Sequence, residues 1–145
     1  MTDAARITTL RAELRDDTAF VATPAPRLTW KVEAPAGGWL QESAELTDGL
    51  RTVTIDGGES ALVAWPFAPL EAGEVREVRV RARSTAGAAT DWSEPLRVEA
   101  GFLADGEWVA QPIGLASPER DAQPAVVRTS FELDRPVTRA LLFWT

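Results

Sequence analysis

Apolar and polar residues alternate with a period of two over much of this chain. In RLTWKVEA, Leu28, Trp30 and Val32 are apolar while Arg27, Thr29, Lys31 and Glu33 are polar, the pattern of a strand with one face against a core. REVRVRARS repeats it, with Val78, Val80 and Ala82 set against Glu77, Arg79, Arg81 and Arg83. Shorter strands are predicted at LQESAELT (40–47), TVTID (52–56), ALVAW (61–65) and SEPLRVEAGFL (93–103). Ala36-Gly37-Gly38, Asp48-Gly49, Asp56-Gly57-Gly58 and Glu71-Ala72-Gly73 separate them, each with a residue that tolerates positive φ. Near the start, Ile7, Leu10 and Leu14 would suit a helical stripe, but Leu10, Ala12 and Leu14 also alternate, and the strands that follow favour a strand here. VATPAPRL then enters the next strand through two prolines, as an edge or connector does. Strands at roughly ten-residue intervals with no long helical stretch predict an all-β antiparallel sandwich of about seven strands.

After Leu103 the pattern changes. ADGEWVAQPIGLASPERDAQPAV is loop-rich, and VVRTSFELD and TRALLFWT then read as two strands joined at Asp134-Arg135-Pro136. Two strands cannot bury a core alone. The expected organisation is a sandwich over 5–103, with 104–145 a linker and the first strands of something else.

Composition narrows the chemistry. The 145 residues are 45% hydrophobic and 26% charged, the balance of a folded globular protein. Fifteen Lys and Arg against twenty-two Asp and Glu leave a net charge of −7, so neither nucleic acid nor an anionic membrane is an expected partner. No apolar run approaches the ~20 residues of a membrane helix, and MTDAARITTLRAELRDD has neither a basic nor an apolar leader region. Cys and His are absent, which removes disulfides, the usual zinc sites and imidazole acid–base chemistry. No metal or cofactor is expected, and only carboxylates remain as catalytic candidates.

Four stretches resemble a fibronectin type III module of the immunoglobulin-like class: LTW at 28–30, PLEAGE at 69–74, VRVRA at 78–82 and TDWSEP at 90–95. That family usually has a Tyr at the start of its sixth strand, closing the preceding corner. Arg76 stands there and the chain has no Tyr, so the corner must be closed in another way. WKVEAP, VAWPFAPLEAGE, RVRARSTAGAATDWSEPLRVEAGFL and EWVAQPIG, in that order, look like the amino-terminal region of bacterial α-L-rhamnosidases. In that family a fibronectin-like sandwich precedes a jelly-roll domain, and the acid and base lie on a large helical barrel far downstream. The resemblance implies that RALLFWT is an interior strand of the jelly roll, with packing partners beyond Thr145. The expected location is the cytoplasm, with secretion left open because fibronectin-like modules are common outside cells.

Glycoside hydrolysis needs two carboxylates in a cleft. The candidates close in sequence, Glu42 with Glu45, Glu71 with Glu74 and Asp16 with Asp17, fall in turns or on polar strand faces and read as solvated charge. Of the tryptophans, Trp30 is expected in the core and Trp92 over the guanidinium groups of Arg79 and Arg81. Trp39 and Trp65 are the candidates for a sugar platform. Trp108, Leu142, Phe143 and Trp144 are the candidates for an interdomain or self-association surface. The first functional reading is therefore a non-catalytic module that braces the catalytic part of a glycosidase, partnered by downstream domains of its own polypeptide. A carbohydrate-binding module is the alternative and an enzyme in its own right the third reading. Self-association through 126–145 is a further expectation, since an exposed apolar strand edge tends to find another.

Overall fold

The structure, a computed structural model, describes residues 4–15, 20–35, 37–113, 126–138, 140 and 142. Among them the chain forms seven strands and no helix: β1 (Arg6–Ala12), β2 (Phe20–Val21), β3 (Leu28–Glu33), β4 (Gln41–Thr47), β5 (Thr52–Asp56), β6 (Val75–Ser84) and β7 (Leu96–Ala100). β1 and β3 pair into one small sheet, and the rest form a second in the order β2-β7-β6-β4-β5. Every pairing is antiparallel except the short parallel contact of β2 with β7.

Alternation decides which side chains meet inside. Leu28 and Trp30 of β3, Ala44 and Leu46 of β4, Val78 and Val80 of β6 and Leu96 and Val98 of β7 are buried. Each larger one contributes about 1.5–3 kcal/mol by leaving water. Trp65, Phe67 and Leu70 complete the same cluster from the β5–β6 connection. Trp30 also ties elements together, because its indole Nε1 donates to Gln41 Oε1 at 2.9 Å while Gln41 Nε2 donates to the carbonyls of Gly57 and Glu59.

Three predicted strands differ from what forms. The 61–65 segment pairs with the β3 backbone only through the reciprocal bonds of Leu28 and Val63, beside which Leu62 N donates to Thr29 Oγ1 at 2.9 Å. Leu62 sits at φ 53 and so turns the chain out of the extended region, and Pro66 has no N–H to extend the ladder. Strand pairing of 93–103 is confined to β7, because Thr90 and Ser93 bond β6 through their hydroxyls instead: Ala82 N donates to Thr90 Oγ1 at 3.0 Å and Val80 N to Ser93 Oγ at 3.1 Å. The predicted strand at VVRTSFELD is absent. Its residues are exposed and make no ladder among the described residues, as expected of a strand without a neighbour to pair with. Most of TRALLFWT, including Phe143 and Trp144, lies outside the described residues.

The chain separates into two compact units, Met1–Val109 and Ala110–Thr145. The strand registers give the first unit two poles. One gathers the end of β1, the β2–β3 and β4–β5 connections, the start of β6 and the end of β7. The chain leaves the sandwich there, so it is called the exit pole. The other gathers the β3–β4 and β6–β7 connections.

Candidate interaction surface

Aromatic side chains collect at the exit pole. After β7, Gly101 N donates to Val21 O at 2.9 Å, and a Cβ on Gly101 would meet Phe20 at 3.6 Å. The next residues fold into a tight loop in which Glu107 Oε2 accepts from the backbone N–H groups of Leu103 and Ala104 at 2.6 and 3.2 Å. That loop sets Trp108 edge-on to Phe102, with ring centroids 5.6 Å apart, and the first unit accordingly runs past Leu103 to Val109. Phe20, Phe102 and Trp108 keep 37, 39 and 39% of their surface exposed.

The turn after β1 stands at the same pole and is strained. Glu13 and Leu14 have φ of 49 and 62, the left-handed region that costs a non-glycine residue about 1–2 kcal/mol. Glu13 is held there by its neighbours: its N–H donates to Arg27 O, and its carboxylate accepts from Arg27 N at 2.7 Å and Nη2 at 2.8 Å. The Arg27 guanidinium and then its backbone N–H keep the Glu13 carboxyl below the ordinary carboxylate range. Leu14, by contrast, points 56% of its surface to solvent.

Arg76 closes the corner that a Tyr would otherwise close. Its Nη1 donates to Ala68 O at 2.9 Å, and Trp65 Nε1 donates to the same carbonyl at 2.9 Å. Nε and Nη2 of Arg76 both donate to Glu74 Oε1, while Glu74 Oε2 accepts from Glu71 N at 2.8 Å. The Glu71 N–H and then Arg76 hold the Glu74 carboxyl low. Asp48, which caps the β4–β5 turn by accepting from Leu50 N and Arg51 N, lies 3.9 Å from Arg76. A forked cation can bind a carbonyl and a carboxylate at once, so one Arg replaces one hydroxyl.

The tryptophans divide. Trp65, expected on the surface as a sugar platform, is only 9% exposed, edge-on to Phe67 and with its N–H given to Ala68; no face is left for a sugar ring to stack on. Trp39 is half-buried at the far pole, beside a recess of about 270 Å³ shared with Pro35, Gly38, Ala86 and Ala88. Its indole N–H is buried and has no acceptor among the described residues. Trp92 lies under Arg81, whose guanidinium carbon is 4.7 Å from the ring centroid, and Arg79 lines the recess beside it. Leu142 is exposed. The exposure of Phe20 and Phe102 escaped sequence reading: Phe102 shares the parity of Leu96 and Val98 and would have been counted on the core face.

Of the candidate carboxylates, Glu45 and Glu74 are each engaged by an arginine. Glu45 is bonded to Arg81, which holds its carboxyl below the ordinary range, and Glu74 is held low as above. A general acid needs the opposite shift. Asp16 and Asp17 lie outside the described residues. Among the described residues no three carboxylates come together as a metal cluster would require.

A two-sheet sandwich with this strand order, its Trp on β3 and its corner before β6 is an immunoglobulin-like domain. Residues 7–104 match the family described as the Rha78A-like N-terminal immunoglobulin domain, and the chain belongs to that family. Among solved structures it is similar to the native α-L-rhamnosidase of Aspergillus terreus, at 25% identity and a TM-score of 0.65 over 79% of this chain and 15% of that one. It is also similar to the Streptomyces avermitilis α-L-rhamnosidase complexed with L-rhamnose, at 24% and 0.67 over 74% of this chain and 12% of that one. The α-L-rhamnosidase of Dictyoglumus thermophilum has the same fold at 15% identity, a TM-score of 0.66 and 76% coverage of this chain against 14% of its own. No curated protein matches the chain. The chain thus spans about one seventh of the length of these enzymes.

Proposed function

We propose that this domain is a non-catalytic accessory module of an α-L-rhamnosidase, bracing the catalytic part of its own polypeptide through the exit pole. The observation that carries this reading is the placement of Phe20, Phe102 and Trp108, three aromatic rings each more than a third exposed, at the pole where the chain leaves the sandwich. An adjoining domain that covered those rings would remove apolar area from water at about 25 cal/mol per Å². The lowered Glu45 and Glu74 carboxyls argue against either as a general acid.

Deleting residues 7–104 from the parent polypeptide should lower the Tm of the remainder and shorten the half-life of its turnover of an aryl α-L-rhamnoside. Phe20→Ser with Phe102→Ser in the intact polypeptide should reproduce part of that loss, while leaving the isolated module folded. Unchanged Tm and half-life after the deletion would overturn the bracing reading.

A further inference from the structure

A recess on the outer face of the large sheet has the chemistry of a ligand site. It measures about 350 Å³ and is lined by Thr47, Asp48, Gly49, Glu77, Arg79 and Trp92. Trp92 is placed by the two hydroxyl bonds that fasten Thr90 and Ser93 to β6. Arg81 covers one face of its ring and is itself held by Glu45, so the indole is fixed before any ligand arrives. Gly49, at φ 84 in the β4–β5 turn, sends no side chain across the opening.

What distinguishes this recess is its unspent polar chemistry. Glu77 and Arg79 stand two residues apart on the same face of β6, about 7 Å along the strand, with Arg79 directly opposite Thr47. Among the described residues neither side chain makes a hydrogen bond or ion pair, whereas those of Arg76, Arg81 and Arg97 all do. The Trp92 indole N–H likewise has no acceptor there, and it is not sealed from solvent as the Trp39 N–H is. The site therefore offers an apolar ring, a forked donor, a bidentate acceptor and one further donor. A pyranoside has C–H faces for the ring and adjacent hydroxyl pairs for both planar ends. An anion would face Glu77 and the Asp48 carboxylate, and a purely apolar ligand would bury Arg79 without a partner. The Trp39 recess lacks this equipment, since Ser84 Oγ already accepts from Ala88 N.

We infer that Trp92, Arg79 and Glu77 form a subsite for one uncharged pyranose ring. It goes beyond the bracing role and does not depend on it. The test is a titration of the 145-residue chain with L-rhamnose, D-glucose and D-galactose, followed by ¹H–¹⁵N NMR of the indole and backbone amides. At least one sugar should shift the Trp92 indole and the Gly49, Glu77 and Arg79 amides saturably, with a millimolar Kd. Arg79→Ala and Glu77→Ala, exposed positions whose loss leaves the core intact, should each weaken that binding by roughly tenfold. A flat response to all three sugars overturns the assignment. So does saturable binding that survives both substitutions, or that shifts Trp39 in place of Trp92.

Discussion

Leu14 shows how a single residue can work against its own fold. At φ 62 and 56% exposed, it gains little by burial and bears the cost of left-handed backbone. Leu14→Gly should raise stability by about 0.5–1 kcal/mol, read as a higher urea midpoint, because relief of that strain outweighs the added freedom of the unfolded glycine. Arg76 is the opposite case. Arg76→Met should cost about 2 kcal/mol by leaving Ala68 O and Glu74 without their charged donor, and Arg76→Lys should recover less than half, since an ammonium cannot span both. Glu13, Glu45 and Glu74 all titrate lower folded than unfolded. Their stabilisation is therefore complete above the unfolded carboxylate range, near about pH 4.3, and is lost as pH falls through the lowered folded values. Urea midpoints should be level from about pH 8 to 5 and drop below about pH 4, and Glu45→Gln should make that drop shallower. Arg76 was legible as the residue in place of a Tyr; its acceptor Ala68 was not, because a carbonyl eight positions away carries no side-chain signal.

Among elements, the 90–93 segment does a strand's work without being one. Its hydroxyls and backbone together satisfy Val80 and Ala82 on β6, and this fixes Trp92 on the outer face. Ser93→Ala should leave the buried Val80 N–H unmet and cost about 1–3 kcal/mol, with faster amide exchange at Val80 and a changed Trp92 indole environment. Strand existence was readable wherever alternation was long: β3, β4, β5 and β6 stand where the pattern put them. The 61–65 segment failed because Leu62 leaves the extended region there, a backbone choice its side chain does not announce. The N-terminal segment is β1, yet its alternation runs two residues past the strand, since Leu14 falls in the turn.

For the whole molecule, the exposed apolar residues of the second unit carry the self-association proposal. Val126, Phe131 and Leu142 are largely open to solvent, so the sedimentation coefficient of the isolated chain should rise with concentration, and Val126→Ser with Phe131→Ser should restore a monomer. A monomer at every concentration would remove that role from 126–145. The sequence by itself determined the β class, the core faces of β3 and β6, the family and the lack of imidazole and thiol chemistry, because periodicity and composition are properties of neighbours along the chain. Only the tertiary structure decided that Trp65 is core and Trp92 borders a recess, that Arg76 meets Ala68, and that Phe20, Phe102 and Trp108 share one pole. Those outcomes depend on which distant segments meet, and a side chain's own type is the same whether its neighbour arrives or not.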